Sequence, residues 1–268
     1  MPDGSDQPIP PLLEFGNVSV FNGGRKVIGP LSFTIQEGEH LVILGPNGAG
    51  KSSLIKTITR EFYPVLEGGD VTFRVRGHDV WDVFVLRSAF GVVSNDLQQA
   101  FARDITGRDV VLSGFFSSVG LFNRKISEDM GRKADEILTF LGIAHISTKR
   151  MTEMSSGEAR RFLIGRALVH DPRTLILDEP TNSLDLHALN AFRQTLRKIA
   201  QSGKGIILVT HNLPDIIPEI TRVILIKDGR FVADGRKEDL LTDSHIGNLF
   251  DVPVRVWKAG GYYYAMEE

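Results

Sequence analysis

Gly45-Pro46-Asn47-Gly48-Ala49-Gly50-Lys51-Ser52 decides how this chain is read, because a glycine, four residues and Gly-Lys-Ser is the spacing of a phosphate-binding loop. Leu41-Val42-Ile43-Leu44 before it reads as a buried strand and Ser53 to Thr59 after it as a helix, the context this spacing requires. Gly45, Gly48 and Gly50 let the backbone curl without a Cβ clash, so successive N–H groups point inward at the phosphates of a nucleotide. Those phosphates rest on a helix N-terminus, where the macrodipole supplies positive potential. Lys51 is placed to reach the β- and γ-phosphates and the Ser52 hydroxyl to ligate Mg²⁺. A bare glycine-rich turn explains neither residue. The nucleotide cradle therefore runs through Gly45, Pro46, Asn47, Gly48, Ala49, Gly50, Lys51, Ser52 and Ser53.

Around this loop the pattern is that of an α/β protein. Leu12 to Val20 and Leu31 to Ile35 read as strands joined at Asn22-Gly23-Gly24, and Val71 to Val75 has the period of two of another strand. Leu175-Ile176-Leu177, Ile206 to Val209 and Val223 to Ile226 are continuously apolar, as parallel strands buried on both faces are. Leu189, Phe192, Leu196 and Ile199 form a helical stripe between the first two of these, so strands alternate with crossover helices in a parallel core. From about Asp96 to His170 strand signals thin out. Met130, Ala134, Ile137, Leu138 and Leu141 fall on one helical face with Gly142 as its stop, which predicts an inserted helical subdomain. Lys227-Asp228-Gly229-Arg230 is a hairpin turn, and Gly260-Gly261 between Val252 to Val256 and Tyr262-Tyr263-Tyr264 predicts a second hairpin near the end, read as a structural edge.

Composition narrows the class. With 268 residues, 42% hydrophobic and 24% charged, the chain can form one large α/β domain with a smaller insertion. A formal net charge of -2 argues against direct electrostatic binding of nucleic acid. The absence of cysteine excludes disulfides, cysteine nucleophiles and zinc-thiolate sites and is compatible with a reducing compartment. Residues 1–11, rich in proline with Asp3, Gly4, Ser5 and Asp6, read as a flexible leader with no apolar signal region. Val110 to Asn123 is uncharged but broken by serines and glycines, and falls short of the ~20 apolar residues of a membrane helix. Work at a membrane would make this chain a peripheral partner.

Thr174-Leu175-Ile176-Leu177-Asp178-Glu179 is the second chemical motif, an apolar strand ending in two carboxylates. Asp178 at a buried strand end is suited to hold Mg²⁺, and Glu179 to polarise an attacking water. Two adjacent buried acids are costly unless a cation or hydrogen bonds offset them.

With both motifs present the chain resembles the ATP-binding cassette ATPases, and the remaining marks of that family follow in order. Met154-Ser155-Ser156-Gly157-Glu158 resembles their signature, usually Leu-Ser-Gly-Gly-Gln, with Ser156 in place of a glycine and Glu158 in place of glutamine; it is also a good helix N-terminus in its own right. Ser183-Leu184-Asp185 resembles the loop that follows the carboxylates, and His211 the histidine that contacts the γ-phosphate. Phe21 resembles the aromatic that stacks on adenine, with core packing as its rival reading. Where the family carries a glutamine between core and helical subdomain, Asn95 matches by register, one methylene shorter; Gln98 or Gln99 takes the place if the loop is shifted.

The resemblance implies a P-loop ATPase fold over 12–235, with an N-terminal antiparallel β subdomain, a helical subdomain at about 96–170, and 236–268 as a C-terminal extension. It implies ATP and Mg²⁺ as cofactors, with Ser52, Asp178 and Asn95 around the metal and Glu179, His211, Lys51 and Asn95 acting in hydrolysis. It implies a head-to-tail homodimer in which Ser155, Gly157 and Asp185 of one chain close on the nucleotide of the other. A separate transmembrane subunit and a peripheral, cytoplasmic location follow, with Phe115, Phe116, Leu121 and Phe122 as candidates for the docking surface or for subdomain core. Within the family, Arg60-Glu61-Phe62-Tyr63-Pro64 and the Gly114-Phe115-Phe116 stretch look like the ModF-type accessory ATPases associated with molybdate transport. A soluble, non-transport ATPase acting on a protein or nucleic-acid partner, and a nucleotide sensor with negligible turnover, are the alternatives.

Overall fold

The computed structural model describes residues 10–65, 70–79, 82–182 and 184–268. Residues 1–9 of the leader and Ser183 of the loop after the carboxylates lie outside the described residues. In chain order the elements are β1 (Leu13–Asn22), β2 (Arg25–Ile35), β3 (His40–Leu44), α1 (Lys51–Ile58), β4 (Thr72–Val75), α2 (Val83–Ala89), β5 (Phe90–Val93) and α3 (Asn95–Ala100). Then come α4 (Gly107–Ser113), α5 (Glu128–Phe140), α6 (Ser156–Leu168), β6 (Thr174–Asp178), α7 (Leu186–Gln201), β7 (Gly205–Thr210), β8 (Arg222–Lys227) and β9 (Arg230–Arg236). The chain ends in α8 (Lys237–Leu240), α9 (Asp243–Phe250), β10 (Val254–Ala259) and β11 (Tyr262–Glu267).

The central sheet has the order β5-β6-β7-β3-β8-β9, parallel except for β9, which returns from β8 through Asp228 and Gly229, both at positive φ. Its central strands are apolar at nearly every position because alternate residues serve opposite layers. Leu41, Ile43, Ile176, Ile207, Val209, Ile224 and Ile226 pack toward the β1–β2 side with α1. Val42, Leu44, Leu175, Leu177, Ile206, Leu208, Val223 and Leu225 pack toward α6 and α7. Each such side chain contributes ~1.5–3 kcal/mol when fully buried, so the loop after β3 is anchored by a strand fixed on both faces.

The antiparallel sheet has the order β2-β1-β4. β2 begins at Arg25, six residues before the apolar run at Leu31, because backbone pairing with β1 from Leu13↔Ile35 to Asn22↔Arg25 recruits polar residues into the strand. In the helical region α5 buries Ala134, Ile137 and Leu138 and stops before Gly142 at a φ of +69°. Thr106, Ser127 and Ser155 cap α4, α5 and α6 through their hydroxyls. Phe115 and Leu121 pack against the core of this region and the Arg124 guanidinium lies over the Phe116 ring at 5.7 Å. Phe122, at 73% exposure, is the most exposed of the four.

β10 and β11 pair as an antiparallel hairpin turning at Gly260 and Gly261. Its inner residue Tyr263 is buried, and Trp257 stacks on Tyr264 outside with ring centroids 5.6 Å apart. Among the described residues no helix is long and apolar enough to cross a membrane.

Candidate functional site

Steric limits shape the loop first. A Cβ at Gly45 would lie 2.1 Å from the Ile226 carbonyl oxygen, so only glycine lets β3 turn against β8 at this point. Gly50, at a φ of +96°, caps α1 from the left-handed region, and a Cβ there would meet the Ile28 side chain at 2.6 Å. Ala49 is buried, and its carbonyl accepts the Gly229 N–H at 3.0 Å, tying the loop to the β8–β9 turn.

Asn47, Gly48, Gly50, Lys51, Ser52 and Ser53 line a cavity of about 520 Å³ together with Glu179 and His211. Lys51 is 5% exposed, and its Nζ donates to the carbonyls of Gly45 at 2.9 Å and Pro46 at 3.0 Å. The same ammonium lies 3.1 Å from Glu179 Oε1, while Glu179 Oε2 lies 2.5 Å from His211 Nδ1, a contact without hydrogen-bond alignment. Glu179 has a φ of +48°, a strained conformation for a non-glycine residue, and its N–H donates to the Val209 carbonyl at 2.8 Å. Strand end, loop and β7 thus converge on one carboxylate.

Asp178 is held on the neighbouring side. Burial, reinforced by the charge of Glu179, raises its carboxyl pKa above the ordinary value, with the Ser52 hydroxyl opposing through a hydrogen bond. Its Oδ1 is buried without a hydrogen-bond partner. A buried carboxylate oxygen facing a serine hydroxyl suits an oxygen-seeking divalent cation, so the residues present fit Mg²⁺. Asn95 joins Ser52, Asp178 and Glu179 in lining a second cavity of about 520 Å³. Gln98 and Gln99 do not line it; Gln99 is exposed and Gln98 turns to Arg160.

Ser155, Gly157 and Asp185 stand outside the phosphate cavity of their own chain. The Ser155 hydroxyl accepts the Glu158 N–H at 3.2 Å and the Glu158 carboxylate accepts the Ser155 N–H at 2.8 Å, a capping box that glutamine would also complete, while the Lys149 ammonium 3.0 Å from the carboxylate suits the charged residue. That backbone bond is also the largest influence holding the Glu158 carboxyl below its ordinary pKa. Gly157 is buried, and a Cβ there would lie 2.8 Å from the Ala188 Cβ. Asp185 caps α7 by accepting the Ala188 N–H at 2.7 Å. Phe21 does not line the cavity. Its strand partner Lys26 does, with Nζ 5.7 Å from the Phe21 ring centroid.

Several contributors had no local signal. Arg25, Lys26, Val27, Asp228 and Gly229 reach the cavity from hairpins whose register is set by long-range pairing, and Asn182 reaches it from the turn after Glu179. Asp215, 3% exposed, accepts hydroxyl hydrogen bonds from Thr181 at 2.6 Å and Thr210 at 2.5 Å, joining the segments that carry Glu179 and His211. An aspartate directly after a proline in a short turn gives no hint of that role.

Comparison with known proteins agrees with this geometry. A family model described as "ABC transporter" matches residues 28–182. An uncharacterized ABC transporter ATP-binding protein, YlmA, of Bacillus subtilis is 32% identical over 91% of this chain and 93% of its own length. The hemin import ATP-binding protein HmuV of Bradyrhizobium diazoefficiens is 28% identical over 96% of this chain and 95% of its own length. Among solved structures, a dimeric ATP-binding cassette in a post-hydrolysis state bound to ADP and Pi superposes with a TM-score of 0.67, at 23% identity, over 84% of this chain and 98% of that one.

Proposed function

This chain belongs to the ABC transporter family as an ATP-hydrolysing, nucleotide-binding subunit, and we propose that Glu179, Lys51 and His211 carry its turnover. The reading rests on one observation: the Glu179 carboxylate sits between Lys51 Nζ at 3.1 Å and His211 Nδ1 at 2.5 Å, on the wall of the phosphate cavity. Lys51 is already held at the loop carbonyls, so a β/γ-phosphate entering the cradle meets a placed cation and draws it from Glu179. Glu179, released from the ammonium, orients water for in-line attack on the γ-phosphate and accepts its proton. His211 stabilises the charge that develops on the phosphoryl oxygens. Mg²⁺, held by Ser52 and Asp178 with Asn95 alongside, would supply further positive charge to the β- and γ-oxygens. Stacking of adenine on Phe21 would need only a π face, beside its strand partner Lys26, which lines the cavity.

The outlying position of Ser155, Gly157 and Asp185 supports a head-to-tail homodimer in which they close on the partner's nucleotide. The dimer in turn energises a transporter through a separate transmembrane subunit, with this chain peripheral at the cytoplasmic face. Glu179→Gln tests the site: phosphate release is lost while ATP drives dimerisation, measured by light scattering. Undiminished turnover, or a variant that stays monomeric in saturating Mg-ATP, overturns the assignment.

A further inference from the structure

Arg160, the third residue after Gly157 on α6, is 3% exposed and sits where three segments meet. Its Nε donates to Gln98 Oε1 at 2.9 Å, an oxygen that Nη2 approaches as well, and Nη2 donates to Asn95 Oδ1 at 3.1 Å. Nη1 donates to the Pro180 carbonyl and lies 3.5 Å from that of Glu179. Among the described residues the partners are two amides and two backbone carbonyls, with no carboxylate in hydrogen-bonding contact. Burying a cation among neutral dipoles is costly, and its pKa falls to about 10 through desolvation, with Asp215 opposing from farther off. An apolar side chain would fill a core position without that cost. The guanidinium is there for its geometry, since five donors fixed in one plane can bind separate loops at once.

What those loops carry is the chemistry. Glu179 occupies the left-handed region, a conformation that persists only where its surroundings over-determine it. The Val209 carbonyl holds its N–H from one side, and Arg160 holds the carbonyl side of the same turn. Asn95 lines the cavity shared with Ser52 and Asp178, and its side-chain amide is held by Nη2, which donates to its oxygen. We propose that Arg160 is a positioning residue for hydrolysis: it ties the Asn95–Gln98 loop and the Glu179–Pro180 turn to the signature helix, so that water-orienting carboxylate, cavity-facing amide and helical region keep one geometry. A displacement of α6 moves all of them together. Arg160 lines neither the phosphate cavity nor the cavity beside Asp178, so its loss acts on the chemical step and leaves ground-state binding intact.

The inference rests on the ATPase reading above, and wild-type turnover separates the two. Steady-state phosphate release is measured for wild type, Arg160→Lys, Gln98→Ala and the double variant, beside the affinity of a fluorescent ATP analogue and the melting temperature. Misplacement by about 1 Å costs roughly 100-fold in rate, so kcat falls on that scale in Arg160→Lys while analogue affinity and KM hold. Lysine does not rescue because a single ammonium cannot span amides and carbonyls together. Gln98→Ala lowers kcat without removing a buried group, and the double variant loses no more than Arg160→Lys alone, the non-additivity of residues that act as one unit. Arg160→Lys with wild-type kcat, losses that multiply in the double variant, or a fall in kcat matched by a fall in analogue affinity overturns the inference. A wild-type chain that releases no phosphate overturns the ATPase reading, and the inference with it.

Discussion

Asp215 Oδ2 accepts the Thr210 hydroxyl at 2.5 Å, which fixes the end of β7 one residue before His211. The same oxygen accepts the Thr181 hydroxyl at 2.6 Å, two residues after Glu179, so one buried carboxylate joins the two segments that bring Glu179 and His211 to the cavity wall. Burial raises its pKa above the ordinary 3.8, against the opposing effect of the two threonine bonds. A raised carboxyl pKa means the folded state binds the proton more tightly than the unfolded one. Its contribution to stability is therefore full below 3.8 and declines as pH rises through the folded value. Asp215→Asn keeps an acceptor without the ionisation. Melting midpoints measured from roughly pH 4 to pH 7 should show the variant gaining on wild type as pH rises. Asp215→Ala, which removes the acceptor of the Thr181 and Thr210 hydroxyls, costs ~1–3 kcal/mol, a cost that falls as pH rises.

Two glycines of the phosphate loop separate shape from strain. Gly45→Ala forces a methyl to within 2.1 Å of a backbone oxygen of β8, which no side-chain rotation can relieve. Gly48, at a φ of +81°, has nothing within 4 Å of the place a Cβ would take. Gly48→Ala should carry only the left-handed penalty of ~1–2 kcal/mol and keep measurable nucleotide affinity. Gly45→Ala should lose nucleotide binding together with the β3–β8 packing. Analogue titration with parallel thermal melts distinguishes the two outcomes.

The difference between these positions also marks what sequence discloses. The phosphate loop, the acidic strand end and the buried parallel strands were legible because each is written in consecutive residues: a spacing, a strand context, an apolar run. Arg25, Lys26 and Asp228 were not, since they reach the cavity only after the β1–β2 and β8–β9 registers are set. Which of Asn95, Gln98 and Gln99 lines the cavity beside Asp178 was not legible either, since Asn95 and Gln98 are both held by Arg160, 65 and 62 residues away, a partner that local pattern cannot reveal. Glu158 was the converse case, because its partners lie close in sequence: Ser155 in the capping box three residues before it and the Lys149 ammonium nine residues before it. β5 escaped notice for a simpler reason, being a four-residue edge strand that pairs only with β6.

The C-terminal hairpin presents two aromatic faces with opposite expected weights. Tyr263 is buried against the main core, and its neighbour Tyr262 stacks under the Arg193 guanidinium at 4.4 Å, which also donates to the Pro214 carbonyl. That carbonyl lies in the turn linking His211 to Asp215, so the hairpin braces the segment on which the histidine is placed. Trp257 and Tyr264 stack on the outer face, and Trp257 keeps 43% of its surface in solvent. Tyr263→Ala removes a core side chain and should cost roughly 3 kcal/mol, as large-to-small aromatic changes do, lowering the melting temperature and kcat together. Trp257→Ala forfeits mainly the stacking term, about 0.5–1.5 kcal/mol, and should leave turnover unchanged. If Trp257→Ala lowers ATPase activity while Tyr263→Ala does not, the hairpin acts through its exposed face, and its bracing of the His211 segment is refuted.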